Sequence, residues 1–172
     1  MPYRVEEKEA MRIVGIRIPL TLDMEENKKN VPPFWENTLK SSQFPEICNL
    51  SERSPQCAPQ GVLGITACQS PNEIYYYIAA ATDKPVPVDM YEYEIPAATW
   101  VIFESDGYFK ESIQNIFRRF LTEWLPFSGY VYAELPDIEV YPISEKSPLA
   151  GHSEVWIAVK KEKENGTNGL PD

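Results

Sequence analysis

The sequence predicts an α+β fold in which a βαββ unit occurs twice, the copies sharing one curved, barrel-like antiparallel sheet with two helices on its convex side and a central cleft. Three observations carry this reading. Glu73-Ile74-Tyr75-Tyr76-Tyr77-Ile78 is matched by Glu154-Val155-Trp156-Ile157-Ala158-Val159, two strands that open on an acid and carry aromatic rings at alternate positions. The order strand, helix, strand, strand runs once before the stiff proline stretch Asp83-Lys84-Pro85-Val86-Pro87-Val88 and once after it. Phe34-Trp35 to Leu39 and Ile116-Phe117 to Leu121 fall at the same place ahead of the two acid-led strands. The competing reading is two unrelated α+β segments of similar strand composition.

Taken in order, Tyr3 to Pro19 reads as one opening strand. Val5, Ile13, Val14, Ile16 and Ile18 are β-branched, and Gly15 would weaken a helix at its centre and marks a bulge. Asn30-Val31-Pro32-Pro33 reads as a helix start, since proline is tolerated in a first turn. Phe34, Trp35, Thr38 and Leu39 supply one face of that short helix, which ends before Pro45, and residues 45 to 60 form a long connection. Gly61 to Gln69 and Glu73 to Thr82 follow as strands joined by the turn Ser70-Pro71-Asn72. Tyr91 to Glu104 is strand-like and interrupted at Pro96. Tyr108 to Trp124 is the strongest helical pattern, with Phe109, Ile113, Ile116, Phe117, Phe120, Leu121 and Trp124 recurring at three and four and Ser105 or Asp106 as cap. Tyr130 to Glu134 and Ile138 to Tyr141 read as strand with a break at Pro136, and Glu154 to Lys160 as the closing strand. The expected organisation is one domain over residues 1–161, with pseudo-repeats 3–83 and 91–161, followed by a polar, disordered tail over 162–172.

Composition excludes several classes. A net charge of -10 and a pI near 4.7 oppose contact with a phosphate backbone, which needs clustered Lys and Arg. The densest basic runs are only Lys28-Lys29 and Lys160-Lys161. The apolar run from Met11 to Leu22 is broken by Arg12, Arg17 and Pro19, so neither a signal peptide nor a membrane span is expected and the location expected is cytoplasmic. Three cysteines, Cys48, Cys57 and Cys68, and a single histidine, His152, offer neither a disulfide framework nor a zinc site. No cofactor or metal is expected: no glycine-rich phosphate cradle is present, and the single histidine, His152, reads as a surface loop residue, so Ser/His/Asp chemistry is not expected.

Strand alternation divides the side chains between two faces. Val155, Ile157 and Val159 form an aliphatic face suited to a helix, leaving Glu154, Trp156 and Ala158 opposite. The same parity places Ile74, Tyr76 and Ile78 under the first helix and Glu73, Tyr75 and Tyr77 in the hollow. Val101 and Phe103 face the second helix, leaving Trp100, Ile102 and Glu104 opposite. A hollow of rings and carboxylates suits a lipophilic aromatic cation, because ring faces are negative and a half-buried acid gains from a cation's arrival. The candidate ligand-binding set is Glu154, Trp156, Glu73, Tyr75, Tyr77, Trp100, Glu104, Trp35, Tyr130 and Tyr141.

Several segments in order resemble the GyrI-like effector-binding domains, which also form the ligand-sensing half of AraC-type and MerR-type multidrug regulators. These are Val31-Pro32-Pro33-Phe34-Trp35, Ile95-Pro96-Ala97-Ala98-Thr99-Trp100-Val101-Ile102-Phe103-Glu104, Glu123-Trp124-Leu125-Pro126-Phe127-Ser128-Gly129-Tyr130, Asp137-Ile138-Glu139-Val140-Tyr141 and Ser153-Glu154-Val155-Trp156-Ile157-Ala158-Val159-Lys160. The resemblance implies a duplicated βαββ fold of SHS2 type and a central pocket for bulky, often cationic compounds, with the acid of the final strand, here Glu154, as the key contact. Some members resemble hydrolases that open cyclopropane rings of genotoxins with a pocket Glu, and in that reading Glu154 acts as general base or orients water, with Tyr75, Trp100 or Trp156 holding the substrate. No helix-turn-helix precedes residue 3, so a transcriptional role would need a partner. The expectation is a stand-alone module that senses or sequesters bulky amphipathic aromatic compounds. The alternatives are the hydrolase and an acidic inhibitor of a DNA-handling enzyme, the latter resting on surface charge at Glu6-Glu7 and Glu25-Glu26.

Overall fold

Nine strands and three helical segments are built from the residues that the computed structural model describes, which are 3–105, 115–143 and 153–162. The strands are β1 (Tyr3–Lys8), β2 (Met11–Leu20), β3 (Val62–Ser70), β4 (Glu73–Ala81), β5 (Tyr91–Ile95), β6 (Ala98–Ser105), β7 (Tyr130–Tyr132), β8 (Asp137–Tyr141) and β9 (Ser153–Lys161). The helices are α1 (Met24–Leu39), α2 (Gln43–Glu52) and α3, helical over 115–128 with a π turn at Phe120–Trp124. Every pairing is antiparallel, in the order β1-β6-β9-β8-β3-β4-β2-β5, with β7 also on β9. From the β8/β3 boundary outward, both directions give the second, third and first strand of a βαββ unit. That symmetry is the one two copies of a unit produce.

The edge strands are exchanged. β1 precedes β2 in the chain yet pairs with β6, and β5 precedes β6 yet pairs with β2. The single opening strand expected from Tyr3 to Pro19 is therefore two, broken at Glu9-Ala10 so that β1 can reach the other half. Gly15 is no bulge, for it stays in register with Ala79 and Tyr91. Its role is close approach: a Cβ there would lie 2.1 Å from the Ile78 carbonyl oxygen.

The first helix starts earlier than Asn30. Asp23 caps it, its Oδ1 accepting from the Glu25 amide at 3.0 Å and the Glu26 amide at 3.4 Å. Pro32 and Pro33 thus lie inside α1, where they leave the carbonyls of Lys28 and Lys29 without their usual intrahelical donors. Burial of Trp35 and Thr38 against the sheet offsets that cost. Nor are residues 45 to 60 all connection, because Pro45 sits in the first turn of α2, where proline is permitted, and Ile47 and Leu50 anchor that helix. Three helical segments therefore replace the expected two. The expected helical residues before 115, the caps Ser105 and Asp106, His152 and the tail beyond 162 lie outside the described residues or side chains.

Register fixes the faces. Ile78, Gly64, Glu139 and Val155 are successive cross-strand partners and so share one face. On that face α1 and α2 pack over Val14, Ile16, Tyr76, Ile78 and Tyr141, and α3 packs over Val101, Phe103, Val155, Ile157 and Val159. All three helices are therefore on the same side. The opposite face is a single cluster joining Met11, Ile13 and Ile95 from one end of the sheet to Trp100 and Trp156 from the other. Such contact requires a strongly curved sheet, although β1 and β5 leave it open at two edges.

Candidate ligand-binding site

A cavity of about 550 Å³ lies on the helix side of the sheet, between α1 and strands β3, β4 and β8. Leu20 and Leu22 form its rim, Val31, Pro32 and Trp35 its α1 wall, and Thr66, Ile74 and Tyr76 its sheet wall. Glu139 is its acid. The volume is that of a pocket for a drug-sized molecule, and the walls are mostly apolar with few polar groups, as such pockets require.

Glu139 is held by phenols. Tyr76 Oη and Tyr141 Oη donate to its Oε1 at 2.9 and 2.8 Å, and Trp35 Nε1 donates to Tyr76 Oη at 2.9 Å. The Trp35 ring meets Tyr141 edge-on, centroids 5.3 Å apart. Gly64, the cross-strand partner of Glu139, makes room for the pair, since a Cβ there would lie 2.3 Å from Tyr76 Oη and 2.7 Å from Glu139 Oε1. Among the described residues no Lys or Arg forms an ion pair with Glu139. Burial accordingly raises its pKa above the ordinary carboxylate range, against the opposing pull of the two tyrosine hydrogen bonds. Burial also pushes the Tyr76 and Tyr141 hydroxyls well up, with the Glu139 charge adding to the shift. Asp137, two residues along the same strand face, accepts from Tyr132 Oη at 3.2 Å. Burial lifts it to about 7, the Tyr132 hydrogen bond opposing and the Glu139 charge reinforcing the rise.

Of the ten residues singled out in the sequence, Trp35 and Tyr141 meet at this site. Tyr130 is on the same face but packs on α3, stacked on Trp124 at 5.8 Å. The others lie on the remaining face or its edge. Tyr77, Trp100 and Trp156 are packed into the cluster inside the curve, with Trp100 and Trp156 6.0 Å apart. Glu73 is exposed at the start of β4, and Tyr75 lies 3.9 Å beneath the Arg17 guanidinium. Glu154 is opposite Glu104 in the β6/β9 register. Its Oε2 pairs with Arg4 Nη2 at 3.0 Å, and its Oε1 accepts from Trp156 Nε1 at 3.0 Å. Three of the rings expected to receive a foreign cation thus have the chain's own beside them: Arg17 3.9 Å from the Tyr75 centroid and 5.8 Å from that of Tyr77, and Lys8 5.7 Å from the Trp156 centroid.

Glu139 is the acid that strand reading passed over. Parity within Asp137-Ile138-Glu139-Val140-Tyr141 does put Glu139 and Tyr141 on one face, but nothing local says that this face is hollowed. The deciding signal is the glycine opposite, which requires the β3/β8 register. Chemically, the site offers one ionisable acid in an aromatic, apolar enclosure. Among the described residues there is no group of three or more metal-ligating side chains, and no helix is long and apolar enough to cross a membrane.

An open curved sheet with helices on one face and an acid-floored apolar cavity defines an effector-binding domain. The chain belongs to the Cass2 family, described as integron-associated effector binding protein, which it matches over residues 4–159. Its fold is shared with a protein of Staphylococcus aureus MU50 described as a candidate bacterial transcription regulation protein (TM-score 0.75, 16% identity, 93% of this chain and 99% of that one). It is shared also with SAV2435, solved bound to tetraphenylphosphonium (TM-score 0.73, 17% identity, 99% and 100%), and with an integron cassette protein of Vibrio cholerae (TM-score 0.58, 16% identity, 92% and 95%). At these identities the likeness is one of fold. No curated protein matches the sequence.

Proposed function

We propose that the protein is a binding module for bulky lipophilic aromatic cations, with Glu139 as the counter-charge. One observation carries the reading: a half-buried carboxyl, without a basic partner among the described residues, stands on the floor of a 550 Å³ apolar cavity. Desolvation holds that acid toward its neutral form, and an arriving cation compensates the cost of ionising it. Trp35 and Tyr76 present ring surface to the same cation. The structural likeness to a protein bound to tetraphenylphosphonium, a compound of this class, supports the reading. Sensing or sequestration follows from binding alone and needs no catalytic group.

Tetraphenylphosphonium titration of wild type, Glu139→Gln and Glu154→Gln tests this. Glu139→Gln keeps the outline and should weaken the cation by roughly 1–3 kcal/mol, the scale of a charge-assisted contact, while a neutral aromatic of similar size loses much less. Glu154→Gln, whose acid Arg4 already satisfies, should change little. If Glu154→Gln instead carries the loss, the inner face of the sheet is the site. Mass analysis of recovered cyclopropane-bearing compounds checks the hydrolase alternative, for which ring opening lost in Glu154→Gln, or in Glu139→Gln if the cavity acid takes that role, is the required result.

A further inference from the structure

We infer that the pocket is built for amphoteric aromatic compounds, whose cationic end goes inward to Glu139 and whose anionic end meets Lys28 at the mouth. This rests on the cation reading above and narrows it. Of the described residues that line the cavity, only Glu139 and Lys28 carry ionisable charge of opposite sign, and Val31, Pro32 and Trp35, which follow Lys28 on the α1 wall, are apolar or aromatic. The two charges are at opposite ends. Lys28 lies on the first exposed turns of α1, its side chain 57% exposed and its ammonium 3.5 Å from the carboxylate of a still more exposed Glu25. Glu139 is reached seven residues further along the helix, through Trp35 and its hydrogen bond to Tyr76.

Helix geometry sets the spacing. Lys28, Pro32 and Trp35 recur at four and three and share a face of α1, all three lining the cavity. Seven residues of helix rise about 10 Å, which sets Lys28 that far from Trp35 along the α1 wall and leaves room for a ligand of more than one ring. For a ligand that is only a cation, Lys28 is a like charge at the entrance, a cost in affinity and in rate of entry. A rim lysine that opposes the ligand makes little sense for a pure cation trap and good sense for a compound carrying both signs. Because Lys28 is exposed, its contribution is modest and falls with salt.

The test uses a matched pair of probes, the 4-trimethylammonio-biphenyl cation and the same compound bearing a 4′-carboxylate, titrated into wild type, Lys28→Gln and Glu139→Gln at low and high salt. Wild type should bind the carboxylate-bearing probe about three- to tenfold more tightly, and the preference should shrink at high salt. Lys28→Gln should move the two probes in opposite directions, the amphoteric one weaker and the simple cation about twofold tighter, so that the preference vanishes or inverts. Glu139→Gln should weaken both. Equal binding of the two probes by wild type, or a preference that survives in Lys28→Gln, overturns the amphoteric inference. In that event a loss of the simple cation in Glu139→Gln still leaves the cation reading standing. Failure of either probe to bind wild type while tetraphenylphosphonium does overturns the inference on length, and indifference of all three to Glu139→Gln overturns both readings.

Discussion

At the scale of single residues, burial acts on two acids of one strand face, Glu139 in the cavity and Asp137 beside it. Asp137 ordinarily ionises at 3.8 and here at about 7, and burial raises Glu139 in the same direction. An acid whose folded pKa is raised keeps its proton in the native state at pH values where the unfolded chain has lost it. Native protein then binds more protons than unfolded, and stability falls as pH rises. The contribution is fully present below about 3.8, declines up to about 7 and is level beyond. Urea unfolding of wild type and Asp137→Asn from pH 4 to 8 should show a shallower decline in the variant, and parallel curves would rule out Asp137 as the source. On the proposed reading, cation affinity should run the opposite way and strengthen as pH rises through the Glu139 titration, with proton release on binding, which titration in buffers of different ionisation enthalpy checks. Gly64 makes the geometry itself testable: Gly64→Ala forces a methyl against Tyr76 Oη and Glu139 Oε1. Overpacking of that kind costs about 1–3 kcal/mol, seen as a lower urea midpoint, and the displaced hydrogen bond should weaken cation binding as well.

At the scale of elements, alternation placed side chains correctly and could not say which side was hollow. Tyr76 and Ile78 do face the helices while Tyr75 and Tyr77 do not, and Val155 and Trp156 divide in the same way. Parity is a property of one strand, legible from residues two apart. Whether a face is filled or hollow depends on curvature across eight strands, which no single segment encodes. The inner face is rich in rings because the sheet curves around them, and the cavity lies where α1 stands away from β3 and β4. The start of α1 was legible in principle at Asp23, followed by Glu25 and Glu26, but Pro32-Pro33 is the stronger local signal and points to the wrong turn. The rim depends on a clasp between elements. Asn27 Oδ1 accepts from the Thr21 amide at 2.9 Å, and its Nδ2 donates to the Thr21 carbonyl at 2.8 Å, holding the corner that carries the exposed Leu22 and Met24. Asn27→Ala should cost about 1–2 kcal/mol of stability and weaken cationic and neutral ligands alike. A loss confined to cations would show that Asn27 acts on charge and not on the rim.

At the scale of the molecule, the exchanged edges bind the two halves into one folding unit. A single duplicated unit with both edge strands at home would place the partner of each outer strand within its own half. Here β1 gives its whole length to β6, from Tyr3 opposite Phe103 to Lys8 opposite Ala98, and β5 gives its to β2. The central seam adds β3 against β8, with Ile65 opposite Ile138. The inner cluster then draws on β2, β3, β4 and β5 as much as on β6, β8 and β9, so neither half encloses its own core. A cut between Val88 and Asp89, both exposed and outside any strand, severs only the crossover. Fragments 1–88 and 89–172 should each fail to give a cooperative thermal transition alone, since each exposes an unpaired strand and half of an apolar cluster. Mixed or co-expressed, they should restore one cooperative transition together with tetraphenylphosphonium binding, because Trp35 and Tyr76 come from the first fragment and Glu139 from the second. A sharp transition of fragment 1–88 by itself would show that the first unit is an independent domain, and that the strand exchange decorates the fold without holding it together.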